Sequence, residues 1–287
     1  MRLLYFLLVF LFISPFTFAQ KQSLQQVLEK ETAGFRGDVG IYVLHLKTGE
    51  EAAINADTIF PTASIVKVPI LVGVMDKIEK GELAYHQKMV YRDSIKYGGS
   101  GLMQYFKDST ETELSILMSL MITYSDNTTS LWCQALAGGG ERINEIMEGL
   151  GLQHTRVNSR TPGREDIWKK YGWGQTTPRE MAQLLIKIRK GEIISLAASD
   201  RMYRLMGNIY YDEYALSAIP AQVHTASKQG MVNASRSELV MVNAPKGDYV
   251  FYFATKNNED QRWEDDNEAQ FLQKTISKIL WEWFEGD

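Results

Sequence analysis

Ser64 and Lys67 set one hydroxyl and one amine three residues apart in an otherwise apolar run, Phe60-Pro61-Thr62-Ala63-Ser64-Ile65-Val66-Lys67-Val68-Pro69-Ile70-Leu71. Residues at that spacing share a helix face, so the oxygen and the nitrogen come within hydrogen-bond reach. The apolar neighbours would bury both groups. A buried ammonium without a partner sheds its proton readily, and the neutral amine that results is a base able to activate a serine. The chemistry indicated is a Ser-Lys nucleophile. The same four residues also suit a plain helix with a snorkelling lysine, since short patterns of common residues recur by chance. Ser64 to Lys67 is nevertheless the only Ser-x-x-Lys in the chain.

Two further clusters lie downstream. Tyr124-Ser125-Asp126-Asn127 follows a helical run from Thr112 to Thr123 and precedes another helix start, where Ser, Asp and Asn are also good caps. Lys228-Gln229-Gly230 sits on an extended run. Lys47-Thr48-Gly49, Lys96-Tyr97-Gly98 and Lys170-Tyr171-Gly172 show how often Lys-x-Gly arises; only Lys228 combines a position after Ser125 with a strand context.

The elements that must position these groups can be read in order. Leu24, Val27 and Leu28 give Ser23 to Glu31 one apolar helical face, and Asp38–Leu46 with Glu51–Ile54 reads as a β-hairpin turning at Lys47-Thr48-Gly49-Glu50. The run from Ala63 to Glu79 reads as one helix, stopped by Gly81 and bent by Pro69. Helical patterns then dominate to about residue 210: Thr112–Thr123, Thr128–Ala137, Glu141–Leu150 and Pro178–Lys190, the last opened by Thr177 as N-cap. Between Gln153 and Gln175 no period is clean, although Trp168, Tyr171 and Trp173 argue for packing there. Ala221–Lys228, Ser237–Val242 and Tyr249–Thr255 read as strands, and Phe271 to Trp283 as a closing helix lying on them. The expected fold is α+β: an antiparallel sheet built from both chain ends, with flanking helices and a mostly helical middle block.

Composition narrows the function. With 45% hydrophobic and 23% charged residues the 287-residue chain is ordinary globular protein. Met1 to Ile13 joins one positive charge to an apolar run, and Thr17-Phe18-Ala19-Gln20 offers small residues for processing. Residues 1–19 therefore read as a secretory signal, leaving one catalytic domain over 20–287, exported to the periplasm or medium with no stable membrane anchor. Removing them takes away only Arg2 among the charges, so 31 Lys and Arg against 35 Asp and Glu become 30 against 35. A mildly acidic exported chain is a poor partner for nucleic acid. Cys133 is the sole cysteine, which excludes an intramolecular disulfide, and its apolar surroundings read as a buried helix rather than a reactive thiol. His45, His86, His154 and His224 have no metal-ligand spacing, and neither metal nor cofactor is expected.

Ser64-x-x-Lys67, Ser125-Asp126-Asn127 and Lys228-Gln229-Gly230, about sixty and about a hundred residues apart, resemble the motif set of the penicillin-recognising serine hydrolases, most closely class A β-lactamases. Gly99-Ser100-Gly101, Met121-Ile122 and Thr176-Thr177-Pro178 add to the likeness, which spans nearly the whole mature chain. The resemblance implies that Ser64 attacks a β-lactam amide, that Lys67 and Ser125 move the proton, and that Asn127 holds the substrate amide. It implies that Lys228 meets the substrate carboxylate, with Gln229 and Gly230 beside it, and that backbone N–H groups including that of Ser64 form the oxyanion hole. The partner is then a small β-lactam or a cell-wall peptide, and the enzyme is expected to be a monomer.

Two departures stand out. Class A enzymes usually carry a loop glutamate two residues after an arginine, but Arg160-Thr161-Pro162 has no acid at that spacing. Glu165 and Asp166 are the nearest carboxylates, and Glu165 is either the deacylating base or a solvated loop acid beside Arg164 and Lys169. Gln229 replaces the hydroxyl residue that the family prefers. The missing acid keeps open a D-alanyl-D-alanine peptidase or esterase of the same superfamily, and a non-catalytic cell-wall binding homologue is the remaining alternative.

Overall fold

The computed structural model describes residues 22–286; the expected signal segment and its cleavage site lie outside them. Helix α1 (Leu24–Thr32) starts at Ser23, whose hydroxyl accepts the Gln26 N–H while the Gln26 side chain accepts the Ser23 N–H. This reciprocal capping satisfies two backbone donors that the helix start would otherwise leave open. Strands β1 (Asp38–His45) and β2 (Glu51–Ile54) form the expected hairpin, and the short β3 (Phe60–Pro61) leads to Ser64.

The run from Ala63 is helical in two pieces, a 3₁₀ turn at Ala63–Val66 and then α2 (Lys67–Glu79). Pro69 falls in the first turn of α2, where a backbone N–H has no intrahelical acceptor in any case, so the missing donor breaks nothing.

The middle block follows with β4 (Lys88–Val90) and β5 (Glu111–Glu113), a small antiparallel ribbon. Thr112 and Glu113 therefore belong to a strand, and α3 (Leu114–Thr123) begins after the ladder ends. Helices α4 (Asn127–Leu136) and α5 (Gly139–Gly149) come next. The segment without a clean period holds β6 (Arg156–Val157), α6 (Glu165–Tyr171) and β7 (Gly174–Thr176), with β7 pairing to both β3 and β6. Helix α7 (Pro178–Arg189) is capped by Thr177 as expected, and α8 (Leu196–Met206) closes the block.

Strands β8 (Thr225–Val232), β9 (Ser235–Val242) and β10 (Tyr249–Lys256) complete a five-stranded antiparallel sheet of order β2-β1-β10-β9-β8, and α9 (Glu268–Glu285) ends the described chain. The β8 strand begins four residues later than its apolar pattern suggests. Alternation divides the core in two. Val39, Ile41, Val43, Val240, Phe251 and Phe253 pack with α1 and α9, whereas Tyr42, Leu239, Met241, Val250 and Tyr252 face the helical block. With both faces covered, β9 and β10 carry apolar residues on both sides, which is why they read as near-continuous hydrophobic runs. Among the described residues no helix is long and apolar enough to cross a membrane.

Candidate active site

The 3₁₀ turn carrying Ser64 is wedged between β7 and β8. The Thr62 N–H donates to the Gly174 carbonyl at 3.0 Å, and at Gly230 a Cβ would lie 2.4 Å from the Thr62 carbonyl oxygen. Lys-x-Gly thus ends in glycine because nothing larger lets β8 lie against this turn. Ala63 and Ser125 both hold left-handed φ angles, 43° and 53°, a conformation costly for residues with a Cβ. Both side chains' neighbours fix that geometry at the point where the three motifs meet.

The Lys67 amine joins the first two motifs. Fully buried, it lies 2.9 Å from Ser64 Oγ, 3.0 Å from Ser125 Oγ and 2.9 Å from Asn127 Oδ1, and it also reaches the Ser125 carbonyl. Two of these partners, the carbonyl and the amide oxygen, can only accept. Asn127 is oriented by its own Nδ2, which donates to the Gly98 carbonyl at 3.1 Å. A neutral amine has two N–H bonds for those two acceptors and keeps its lone pair for a hydroxyl. Burial pushes Lys67 well below the usual lysine range, Lys228 pushes the same way, and Asp126 opposes them. Burial therefore favours the neutral amine, and the hydroxyls of Ser64 and Ser125 are placed to donate to it.

Ser125 Oγ bridges Lys67 to Lys228, whose amine stands 3.1 Å away on the other side. Burial brings Lys228 down to about 7, against the attraction of Glu238. Lys228 also donates to Gln229 Oε1 at 3.2 Å and to the Gln229 carbonyl at 2.9 Å. The loop opposite is held by Asp126, the N-cap of α4: one carboxylate oxygen accepts the Thr129 N–H at 2.8 Å and the other accepts those of Leu102 and Met103 at 2.6 and 2.7 Å. Gly101 lets that loop close, since a Cβ there would meet the Asp126 Cα at 2.4 Å. Sequence alone identified Asp126 as a cap; its grip on the Gly99–Met103 loop needed a contact with a segment that has no period of its own.

Two cavities open on Ser64. One, of about 590 Å³, runs past Tyr97, Lys170, Trp173, Met231 and Lys256; the other, of about 420 Å³, past Ser100, Ser125, Tyr211, Gln229 and Trp263. Ser64, Asn127 and Met231 line both. Among the described residues no carboxylate lines either. Glu165 opens α6, accepts the Gly163 N–H at 3.2 Å, is exposed, and lines a separate cavity with Arg160 and Trp168. The structure therefore does not bring Glu165 to Ser64, because the chain path, not a rotamer, points the start of α6 outward. Thr161, in the stretch that lacks the usual acid, is buried and its hydroxyl donates to the Val157 and Ser159 carbonyls. Lys47-Thr48-Gly49 lies in the β1–β2 turn and lines neither cavity. Cys133 is buried in α4, and burial pushes its thiol far above the ordinary range, as expected of a structural cysteine.

Among the described residues no cluster of three or more His, Cys, Asp or Glu could hold a metal ion. The chain is similar to β-lactamase VEB-1 of Pseudomonas aeruginosa, 21% identical with 99% of this chain and 97% of that protein covered. It is also similar to β-lactamase SME-1 of Serratia marcescens, 24% identical over 88% of this chain and 87% of that one. Among solved structures, PBP-A, in a variant forming an acyl-enzyme complex with penicillin G, superposes with a TM-score of 0.80 at 26% identity, covering 91% of this chain and 95% of the other. Residues 20–284 match the family described as "Beta-lactamase enzyme family". The three motifs are thus linked through the Lys67 amine and the Ser125 hydroxyl that Lys228 also reaches, within a sequence that fits that family almost end to end, and the chain belongs to the β-lactamase enzyme family.

Proposed function

We propose that the protein is a serine hydrolase that opens β-lactam amides through an acyl-enzyme on Ser64. The observation that carries this reading is the buried Lys67 amine, with hydroxyls of Ser64 and Ser125 at 2.9 and 3.0 Å and acceptor-only partners for its two protons. Lys67 takes the Ser64 proton as Oγ attacks the carbonyl carbon. The proton passes through Ser125 Oγ to the departing ring nitrogen, while backbone N–H groups in the first turn, where helices leave donors free, receive the developing oxyanion. Lys228 and the amide N–H₂ of Gln229, whose Oε1 is turned to Lys228, receive the substrate carboxylate, and Asn127 the substrate amide. A carboxylate arriving beside Lys228 favours its ammonium form, so binding and charge at this site reinforce each other.

The family and the leader-like residues 1–19 support export, with the mature chain starting near Gln20. A second reading, a D-alanyl-D-alanine peptidase of the same superfamily that β-lactams acylate, is favoured by the absence of a carboxylate from both Ser64 cavities.

One absorbance assay with a chromogenic cephalosporin tests the proposal. Ser64→Ala is expected to abolish turnover, and Glu165→Gln to leave the steady rate unchanged, because that acid faces another cavity. Turnover surviving in Ser64→Ala refutes the nucleophile; a trapped adduct in Glu165→Gln would return Glu165 to the mechanism. A burst in the wild type followed by a stall identifies the peptidase reading.

A further inference from the structure

Trp173 stands between α6 and β7, and its main chain is tied on both sides to the walls of the site. Its carbonyl accepts the N–H groups of Asn158 and Ser159 at 2.8 and 3.0 Å, and the next residue accepts the Thr62 N–H two positions before Ser64. The Tyr97 ring meets the indole edge to face, 5.3 Å between centroids at 71°. Beneath, the Lys67 amine lies 5.9 Å from the indole centroid. Both rings line the larger Ser64 cavity, whereas the fully buried Lys67 lines neither cavity.

We propose that Trp173, braced by Tyr97, is a positioning residue that roofs Lys67 and keeps water off its amine, so that Lys67 stays neutral and ready to take the Ser64 proton. The ring's negative face pulls the other way, toward an ammonium, but 5.9 Å is at the limit of that attraction, and burial outweighs it. The charged groups that face Lys67 are few: Lys228 from β8, which also disfavours a second cation, and Asp126 from the α3–α4 junction, which favours one. Lys170 of α6 and the Tyr97 phenol line the outer cavity on the far side of the indole. Without the roof, water would solvate the amine and raise its proton affinity. Acylation, which needs the neutral amine, would then require higher pH.

This rests on Ser64 acylation as proposed above, and the test separates the two. Second-order acylation by benzylpenicillin, followed by intact mass from pH 5 to pH 10, is expected to rise with pH in the wild type. In Trp173→Ala the rise should move to higher pH, with a loss about tenfold larger at pH 6 than at pH 9, and Trp173→Phe should keep the wild-type profile. Should Trp173→Ala not fold, Tyr97→Ala, which frees the outer edge of the indole, is expected to move the profile in the same direction. An unmoved profile, or an equal loss at every pH, overturns the roof while leaving Ser64 acylation standing. No acylation in the wild type removes the function on which it rests.

Discussion

Replacing Lys67 by methionine is expected to slow acylation of Ser64 by about 10²–10⁴-fold, the usual contribution of a positioned general base. Methionine matches the length of the lysine stem and removes only the amine, so the buried run from Ile65 to Met75 keeps its packing. Four oxygens, the hydroxyls of Ser64 and Ser125, the Ser125 carbonyl and Asn127 Oδ1, lose their common partner. Lys228 cannot substitute, since it reaches Ser125 and not Ser64. Stopped-flow or quenched mass measurement of adduct formation gives the rate, and an unaltered rate in Lys67→Met would assign the base to another group.

Asp126→Ala is expected to cost stability on a similar scale to its effect on the site. Met103 and Thr129 would each keep a buried backbone N–H with no acceptor, at about 1–3 kcal/mol per group, while that of the exposed Leu102 would turn to water. The sum is roughly 2 kcal/mol or more, a fall in Tm of several degrees for a domain of this size. Ser125 and Asn127 flank Asp126 and would lose their fixed geometry with it. Asp126→Asn keeps one acceptor oxygen and is expected to lose about half as much. Calorimetric melts of the three proteins decide the matter, and equal Tm values would show that the Gly99–Met103 loop is held by something else.

How much of this was legible in the sequence depended on the kind of signal. The sheet was readable because β1, β9 and β10 alternate or run apolar over eight residues, long enough for burial to leave a pattern. Ser64, Lys67, Ser125, Asn127 and Lys228 were readable because proton transfer restricts residue types, and their order restricts spacing. The segment 153–175 was not: β6 and β7 have two and three residues and α6 seven, too short for any period to emerge. The direction of Glu165 follows from that path, as does the place of Trp173 above Lys67. The place of Pro69 in a first turn was hidden for a different reason, since it depends on where the α-helix begins, and a 3₁₀ turn is indistinguishable from it in pattern. Gln229 was legible as a departure, but its bond to Lys228 required the side chain's direction.

The central claim is that Ser64 is the atom acylated. The most direct measurement is to incubate the protein with benzylpenicillin, quench, and combine intact mass with peptide mapping. One penicilloyl group per chain, located on the peptide containing Ser64 and absent from Ser64→Ala, is the predicted result. An adduct on any other residue, or loss of penicillin at an undiminished rate in Ser64→Ala, would contradict it.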